Sequence, residues 1–540
     1  MSKLPHLTEK DAAPVAFASF LVSVLMLLAL APTCAAAMSA AQAHGKQIYF
    51  SGASPSGDPV TAYFGEKKQE LPGQAATCGS CHGHDGTGRP ESGLIPTNIT
   101  WKYLIKSYGH IHASGLAHGP FNETSLKHYL KTGVYPGGKT GDPAMPLYTI
   151  SEHDLDDLLA YIKLLGELLD PGLGEGFIKV GTLIPGQGPA AAAGAAIRDL
   201  LSAYFSDLNK VGGIYGRSIE LVVHETKGDR QTALARIKNW LAEQQPFALL
   251  STFTPDAELD VQAAASAEGI PSVGPFTLYP TEDFTLNRQV FYLFAGLGVQ
   301  TRALIRYAGE RLELADPQSA VLYPEKNSLE EVIAAVEQAC KGQKWPAVQK
   351  RPFVPGAFDA DESAEGLQEA GADLIVFLGV ESQLRSFLDA CVRRSWVPLV
   401  LAPGVLAGRM LVDAPPAFEK RLYLAYPTLP QDRKDWAIRE LSRLMQAHNL
   451  RQKHPQAVIS AYCAAKILTE AVRLAGSDLD RQKFTAVLEK LYQFDTGLTP
   501  PVSYTRNRRM GAKGAYVLGF DPQMRGQGGV PGSAEWVELN

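Results

Sequence analysis

Charge is sparse in this chain. Asp, Glu, Lys and Arg make up 20% of its 540 residues and leave a formal net charge of −5, with no run of basic side chains. A nucleic-acid partner needs a clustered positive footprint, so that class is excluded. Long apolar stretches are equally rare: Val15 to Ala31 is the single candidate, and the rest of the chain reads as soluble. Cysteine is used six times. Cys340, Cys391 and Cys463 are scattered, odd in number and set in helix-like apolar patterns such as Ala461-Tyr462-Cys463-Ala464-Ala465. They do not make a disulfide framework and are expected to act as small buried hydrophobes. A P-loop, a dinucleotide fingerprint and a Ser-His-Asp set are missing as well. These absences weigh against an enzyme without deciding the question.

What is present begins with Val15 to Ala31, rich in Leu, Val and Phe. Small residues follow, ending in Ala41-Gln42-Ala43, an A-x-A-like cleavage pattern, with an alternative cut after Ala37. The stretch ahead is weakly basic, Lys3 and Lys10 being offset by Glu9 and Asp11. Residues 1–43 are expected to be a signal peptide and the mature chain to be periplasmic. An uncleaved anchor stays open, because about 17 apolar residues is the lower limit for spanning a bilayer. Cys34 follows Pro32-Thr33, a poor lipobox, and leaves with the signal.

The most specific string is Cys78-Gly79-Ser80-Cys81-His82. C-x-x-C-H is the attachment pattern of c-type haem. Two thiols one turn apart add to the two vinyl groups of one porphyrin, and the adjacent imidazole lies under the iron as an axial ligand. A zinc site would need a second Cys or His pair at matching spacing, and a thioredoxin-like motif would follow a strand; the flank here is Gly83-His84-Asp85-Gly86-Thr87-Gly88, which is loop chemistry. For the second axial ligand, the one methionine between His44 and Phe177 is Met145. It stands in Asp142-Pro143-Ala144-Met145-Pro146-Leu147-Tyr148, where two prolines stiffen the loop. His84, His110, His112, His118, His128 and His153 are the competing ligands. Ser151 then caps a helix with Asp154 three positions on, and Leu155, Leu158, Leu159 and Ile162 give it an apolar face.

Residues Gly45 to Leu165 resemble a class I mono-haem cytochrome c. The resemblance rests on Gly45-Lys46-Gln47-Ile48-Tyr49, on Cys78 to Gly88, and on Met145-Pro146-Leu147-Tyr148 before the last helix. It implies a small all-α domain over 44–165, one covalent haem c held by Cys78 and Cys81, iron ligation by His82 and Met145, and one-electron transfer.

Residues 166–176, GELLDPGLGEG, read as a linker. Beyond them strand-like and helix-like segments alternate. Phe177 to Ile184, Ile219 to His224, Ala248 to Phe253, Ala320 to Tyr323, Leu374 to Gly379 and Leu422 to Tyr426 are among the expected strands; Ala190 to Asn209, Gln231 to Glu243 and Glu381 to Arg394 are among the helices. Such alternation predicts an α/β fold with mostly parallel sheets, and its length predicts two lobes. Residues 177–540 resemble the type I periplasmic solute-binding proteins of the branched-chain amino acid and amide group. The matching pieces are Ile178-Lys179-Val180-Gly181 with Pro185-Gly186, Val211 to Gly216 before Ile219-Glu220-Leu221, Glu268-Gly269-Ile270-Pro271-Ser272, the strand to Gly379, and Gly511 to Phe520. The resemblance implies two α/β lobes, three crossovers and a ligand in the cleft.

Ligands of open α/β sheets sit at the carboxyl ends of strands. That rule selects Gln187, Thr252, Phe253, Thr254, Phe276, Thr277, Tyr279, Glu325 and Glu381 as cleft residues. Amino-acid binders of the family grip a carboxylate with a Ser/Thr-rich turn. Here Thr254-Pro255-Asp256-Ala257-Glu258 puts acids in that place, which disfavours a carboxylate. The expected function is therefore one-electron transfer by a cytochrome fused to a small-molecule binding domain, with a redox partner protein such as a periplasmic dehydrogenase or oxidase. Two alternatives stay open: a solute receptor for an ABC permease with an accessory haem, and a haem-linked oxidoreductase acting on its bound solute.

Overall fold

A computed structural model describes residues 38–539, apart from 66, 84, 89–95, 113–114, 167–168, 282–287, 452 and 524–533. Most of the expected signal peptide, with Cys34, and the candidate ligand His84 lie outside the described residues. The chain divides into two compact units at Leu168/Leu169. Among the described residues no helix is long and apolar enough to cross a membrane.

The first unit is framed by helices α1 (Ala40–Ser51) and α5 (Glu152–Ile162). Between them lie α2 (Cys78–His82), α3 (Trp101–Leu104) and α4 (Glu123–Thr132). Helix α1 starts at Ser39, whose hydroxyl accepts from the Gln42 amide while the Gln42 side chain answers to the Ser39 amide. Ala41-Gln42-Ala43, read above as a cleavage pattern, thus forms the first turn of an ordered helix. Gly45 lets α1 touch the α5 backbone: a Cβ there would lie 1.9 Å from the Asp157 carbonyl oxygen. Tyr49, Phe50 and Tyr161 mesh edge-on at this crossing.

The helical frame also carries strands that the sequence pattern did not announce. Strands β1 (Thr61–Phe64) and β2 (Gln69–Pro72) form a hairpin, and β5 (Leu147–Thr149) joins its other edge, with Tyr63 opposite Leu147. Two-residue strands β3 (His110–Ile111) and β4 (Ala117–His118) form a separate ladder.

The second unit holds two sheets. The first is wholly parallel, in the order β10-β9-β8-β6-β7, built from β6 (Phe177–Pro185), β7 (Ser218–Thr226), β8 (Ala248–Leu250), β9 (Ser272–Val273) and β10 (Val290–Phe291). The expected strand Ala248 to Phe253 stops at Leu250, because Ser251 turns into the left-handed region at φ 48°. The second sheet runs β12-β11-β13-β14-β15-β16-β17. Its strands are β11 (Ser319–Pro324), β12 (Gln349–Phe353), β13 (Leu374–Phe377), β14 (Leu399–Pro403), β15 (Leu422–Tyr426), β16 (Gly514–Gly519) and β17 (Glu535–Glu538), the last two antiparallel. Each sheet has its own apolar core. The chain passes between the cores three times: between Leu293 and Leu297, between Leu429 and Ala437, and between Tyr504 and Ala515. Cys463 is buried in the first core, Cys391 and Cys340 in the second lobe. Burial pushes all three thiols up, Cys340 to about 11 and the other two to about 12, so they are unreactive at neutral pH.

Candidate functional site

Helix α2 is a single turn, and its two thiols sit three residues apart, on one face. Cys78 is half-buried and Cys81 exposed. Burial pushes the Cys78 thiol up to about 11. Gly79 between them is confined, since a Cβ would meet the Phe50 ring at 2.8 Å. The end of the turn is pinned by the Tyr49 hydroxyl, which donates to the Gly83 carbonyl at 2.8 Å, while the Tyr148 hydroxyl donates to Ala76 at 2.7 Å. His82 is buried, and its Nδ1 lies 2.9 Å from the Thr97 carbonyl oxygen. A carbonyl only accepts, so Nδ1 carries the proton and Nε2 keeps its lone pair. Burial holds the imidazole below the usual histidine range, hence neutral. Tyr49, Thr97 and Tyr148 were not singled out in the sequence; Tyr148 was quoted only as part of the Met145 loop.

Met145 is half-buried and borders the same apolar cluster as Cys78. Its amide donates to the Asp142 carbonyl at 3.0 Å, and the Gly65 amide, in the hairpin, donates to Pro143. Strand β5 starts two residues later, so the small sheet anchors the methionine loop. An apolar hollow beside Cys78 is walled by Ile48, Val60, Leu130, Tyr148, Leu155 and Leu158. Of the competing histidines, His128 and His153 lie exposed on helix faces. His110 Nε2 bonds the Leu104 carbonyl and His118 Nδ1 the Gly119 carbonyl. His112 stacks among them with its Nε2 buried and without a partner among the described residues.

In the second unit, six of the expected cleft residues follow β8 and β9. The Phe276 amide donates to the Thr252 carbonyl at 2.8 Å, and the Phe253 and Phe276 rings meet edge to face at 5.1 Å. Thr277 Oγ1 accepts from the Tyr279 amide. Tyr279 packs on the core of the second lobe and hydrogen-bonds Ser328. Thr252 and Thr254 are buried. Gln187 instead donates to the Gly228 carbonyl, Glu325 is exposed at the end of β11, and the Glu381 carboxylate covers Gly408. Ser251, which opens this loop but is not among the expected cleft residues, is fully buried with a hydroxyl that has no partner among the described residues. In the acidic turn, burial and then the Asp256 carboxylate push Glu258 above the usual carboxylate range.

Comparison with known proteins now fits this geometry. The family model described as periplasmic binding protein matches residues 178–524. The chain belongs to that family. The cytochrome c family model matches residues 71–166, so a cytochrome c domain stands ahead of the binding protein. Similar solved structures include a fatty acid ABC transporter substrate-binding protein from Thermomonospora curvata, at 18% identity and TM-score 0.51, covering 69% of this chain and 94% of the other. A branched-chain amino acid ABC transporter protein from Thermus thermophilus with bound valine matches at 15% identity and TM-score 0.52, covering 68% and 98%. A solute-binding protein from Rhodopseudomonas palustris BisB5 in complex with 3,4-dihydroxybenzoic acid matches at 13% identity and TM-score 0.50, covering 64% and 93%. These likenesses show the fold. No curated protein matches the sequence. Members of both families are typically extracellular or periplasmic.

The cytochrome c domain implies haem c, and its residues fit that group. A neutral imidazole with Nδ1 held and Nε2 free is the form that ligates a metal. Two thiols on one turn that ends on that imidazole suit a group tethered at two points and ligated at a third.

Proposed function

We propose that residues 44–165 form an electron-carrying domain with one covalent haem, and that residues 177–540 bind a small molecule in the cleft between their lobes. Cys78 and Cys81 would tether the porphyrin, and His82 and Met145 would ligate its iron. Bound haem supplies one reversible electron. The protein's part is to hold His82 neutral and oriented through Thr97 and to fix the turn through Tyr49. The observation that carries the reading is the buried His82 with Nδ1 committed and Nε2 free, one residue after a cysteine pair. A Met/His pair raises the reduction potential relative to two histidines.

For the binding unit, the acidic turn and the Phe253–Phe276 pair support a neutral, aromatic or cationic solute. A half-buried Glu258 held above its normal range asks for a hydrogen-bond donor. The neighbours with bound valine and with 3,4-dihydroxybenzoic acid carry differing solutes on this fold. The chain is exported, and a cut after Ala37 leaves the Ser39 cap of α1 intact, whereas a cut after Ala43 removes it.

Mass spectrometry and visible spectroscopy of protein matured in a host competent for cytochrome assembly test the first half. One added haem mass that survives acid acetone is expected; colourless protein overturns it. For the second half, the protein is titrated with candidate solutes while tryptophan fluorescence and haem potential are followed. A potential shift means the two units are coupled, since linkage is reciprocal. Affinity without a shift favours the receptor reading.

A further inference from the structure

Three histidines of the first unit have no task in the reading above. His110 and His118 are register partners across the β3–β4 ladder, and His112 follows it, its amide donating to the Leu116 carbonyl at 2.9 Å. Two of the three rings are committed. His110 Nε2 lies 3.1 Å from the Leu104 carbonyl oxygen and His118 Nδ1 2.7 Å from that of Gly119. A carbonyl only accepts, so each of those nitrogens carries the proton, and the other nitrogen of each neutral ring is a lone pair. His112 differs. Its ring lies 5.0 Å from His118 and 5.2 Å from Tyr135, with Nε2 buried and unpaired among the described residues. A buried polar atom without a partner costs about 1–3 kcal/mol, which a group bound at Nε2 would recover. Of the three imidazoles, His112 is the one whose buried nitrogen can donate to an anion while the ring is neutral.

The place of that nitrogen narrows the choice of partner. Tyr135 belongs to the apolar cluster that Cys78 and Met145 border. Tyr129, on α4, donates its hydroxyl to that of Tyr135 at 3.1 Å, and a Cβ on Gly141 would lie 2.7 Å from the same Tyr129 oxygen. The next residue, Asp142, accepts the Met145 amide on its carbonyl, and its carboxylate is the acid acting on His112. His112 therefore belongs to the packing that carries the methionine loop. The chain itself supplies few acceptors there. Residues 92–122 contain no Asp or Glu, and Asp142 is exposed, with Oδ1 already 2.9 Å from the Ala144 amide. Lys139, whose Nζ donates to the Ala117 carbonyl on β4, adds a positive charge that acts on His118. Haem c, the group that this domain implies, carries two carboxylate side chains.

We propose that His112 holds one of the haem carboxylates through its Nε2–H. The inference rests on the haem reading above and adds the residue that anchors the polar side of the group. It has a consequence for the electron. The titratable groups facing His112 are His110, His118, Tyr135 and Asp142, with Lys139 acting on His118. Burial and the His110 charge hold the His112 imidazole below the usual histidine range, and a haem carboxylate, like Asp142, works the other way. A protonated His112 disfavours the oxidised iron, the more positive of its two states. The haem potential should therefore fall as pH rises and that proton leaves. By the same linkage, oxidation lowers the proton affinity of His112.

The test uses full-length haem-loaded protein. In reduced wild type, the His112 ring protons should show a nuclear Overhauser contact to the methylene protons of a haem carboxylate chain. That measurement needs no variant, and absence of the contact overturns the proposal even where a variant fails to fold. In His112→Leu the resonance Raman band of the carboxylate chains should shift, and the fall of potential between about pH 5 and pH 8 should be lost. His112→Gln should keep the band, because its amide still donates, yet lose the fall. In wild type the proton affinity of His112 should drop on the order of tenfold when the iron is oxidised. His128→Gln, on an exposed helix face, is the control and should match wild type in both measurements. A His112→Leu protein with the wild-type band and pH profile overturns the proposal. So does a band shift seen in phosphate buffer and not in chloride, which would make the occupant a free anion. Colourless protein is a separate failure and overturns the haem reading itself.

Discussion

Replacing Gly45 with alanine tests the contact on which the first unit is framed. The added Cβ would lie 1.9 Å from the Asp157 carbonyl oxygen, 2.6 Å from its carbon and 2.9 Å from Tyr161 Cβ. A carbon needs about 3.3 Å from an oxygen, so α1 and α5 must part by roughly 1.4 Å. No rotamer relieves this, because the obstacle is backbone. Overpacking of this kind costs about 1–3 kcal/mol. Parting also loosens the hydrogen bonds from Tyr49 to Gly83 and between His44 and Asp157, about 1 kcal/mol between them. Alanine's better helix propensity returns about 1 kcal/mol. The net loss of about 1–3 kcal/mol corresponds to a fall on the order of 10 °C in melting temperature for a unit of this size. The assay is thermal unfolding of the haem-loaded protein followed by Soret absorbance, which sees the first unit alone. Gly119→Ala is the control, since nothing lies within 4 Å of a Cβ there; it should stay within about 0.5 kcal/mol of wild type. A Gly45→Ala protein that melts at or above wild type would refute the reasoning.

Other changes probe the remaining contacts. Arg481 donates to the Phe247, Glu268 and Pro246 carbonyls at 3.0, 2.9 and 2.7 Å, and its amide donates to Asp170. Arg481→Ala should cost the second unit about 2–3 kcal/mol, read as a lower urea midpoint, with Arg481→Lys rescuing little because it lacks the planar fork. In haem-free protein, burial holds His82, His112 and His118 below their unfolded values. The unfolded chain then takes up protons that the folded one refuses as pH falls below about 6.5. Stability should be flat above that pH and drop below it, by about 1.4 kcal/mol per pH unit from His82 alone, the more accessible His112 and His118 adding less. A urea midpoint that rises between pH 7 and pH 5 contradicts this. Met145→Ala should abolish the sulfur-to-iron absorption band and lower the haem potential; an unchanged visible spectrum would show that the sixth ligand is another group. N-terminal sequencing of exported protein should begin at Met38, and a start at His44 would contradict the capping argument.

The haem segment was legible because tethering chemistry acts between neighbours in the chain. Two thiols must reach two vinyl groups and an imidazole must follow, so five consecutive letters, Cys78 to His82, state the whole requirement. What orients His82 was not legible. The Thr97 carbonyl is a backbone atom, identical at every position, and only the fold selects it. The hairpin β1–β2 was hidden for a related reason: at four residues per strand, with Ala62 its sole fully buried side chain, it is too short to display a period. Its partner β5 lies far along the sequence, and that long-range pairing is what anchors Met145.

The α/β unit shows the opposite balance. Its strands are buried on both faces and therefore read as unbroken apolar runs, as in Leu374-Ile375-Val376-Phe377. The proposed cleft draws on loops whose residues are far apart in sequence, and few letters fix them. Thr252, Phe253, Phe276, Thr277 and Tyr279 come together because β8 and β9 are adjacent in the sheet. Gln187 and Glu381 meet the same rule for strand ends yet engage other groups, and Glu325 stays exposed. The rule locates an edge of the sheet but says nothing of how far each loop reaches. Ser251 was given no role in the sequence because a buried serine hydroxyl has no pattern of its own. Its left-handed backbone ends β8 and turns Thr252 and Phe253 out of the strand, so the residue that breaks the expected strand is also the one that begins the proposed cleft loop.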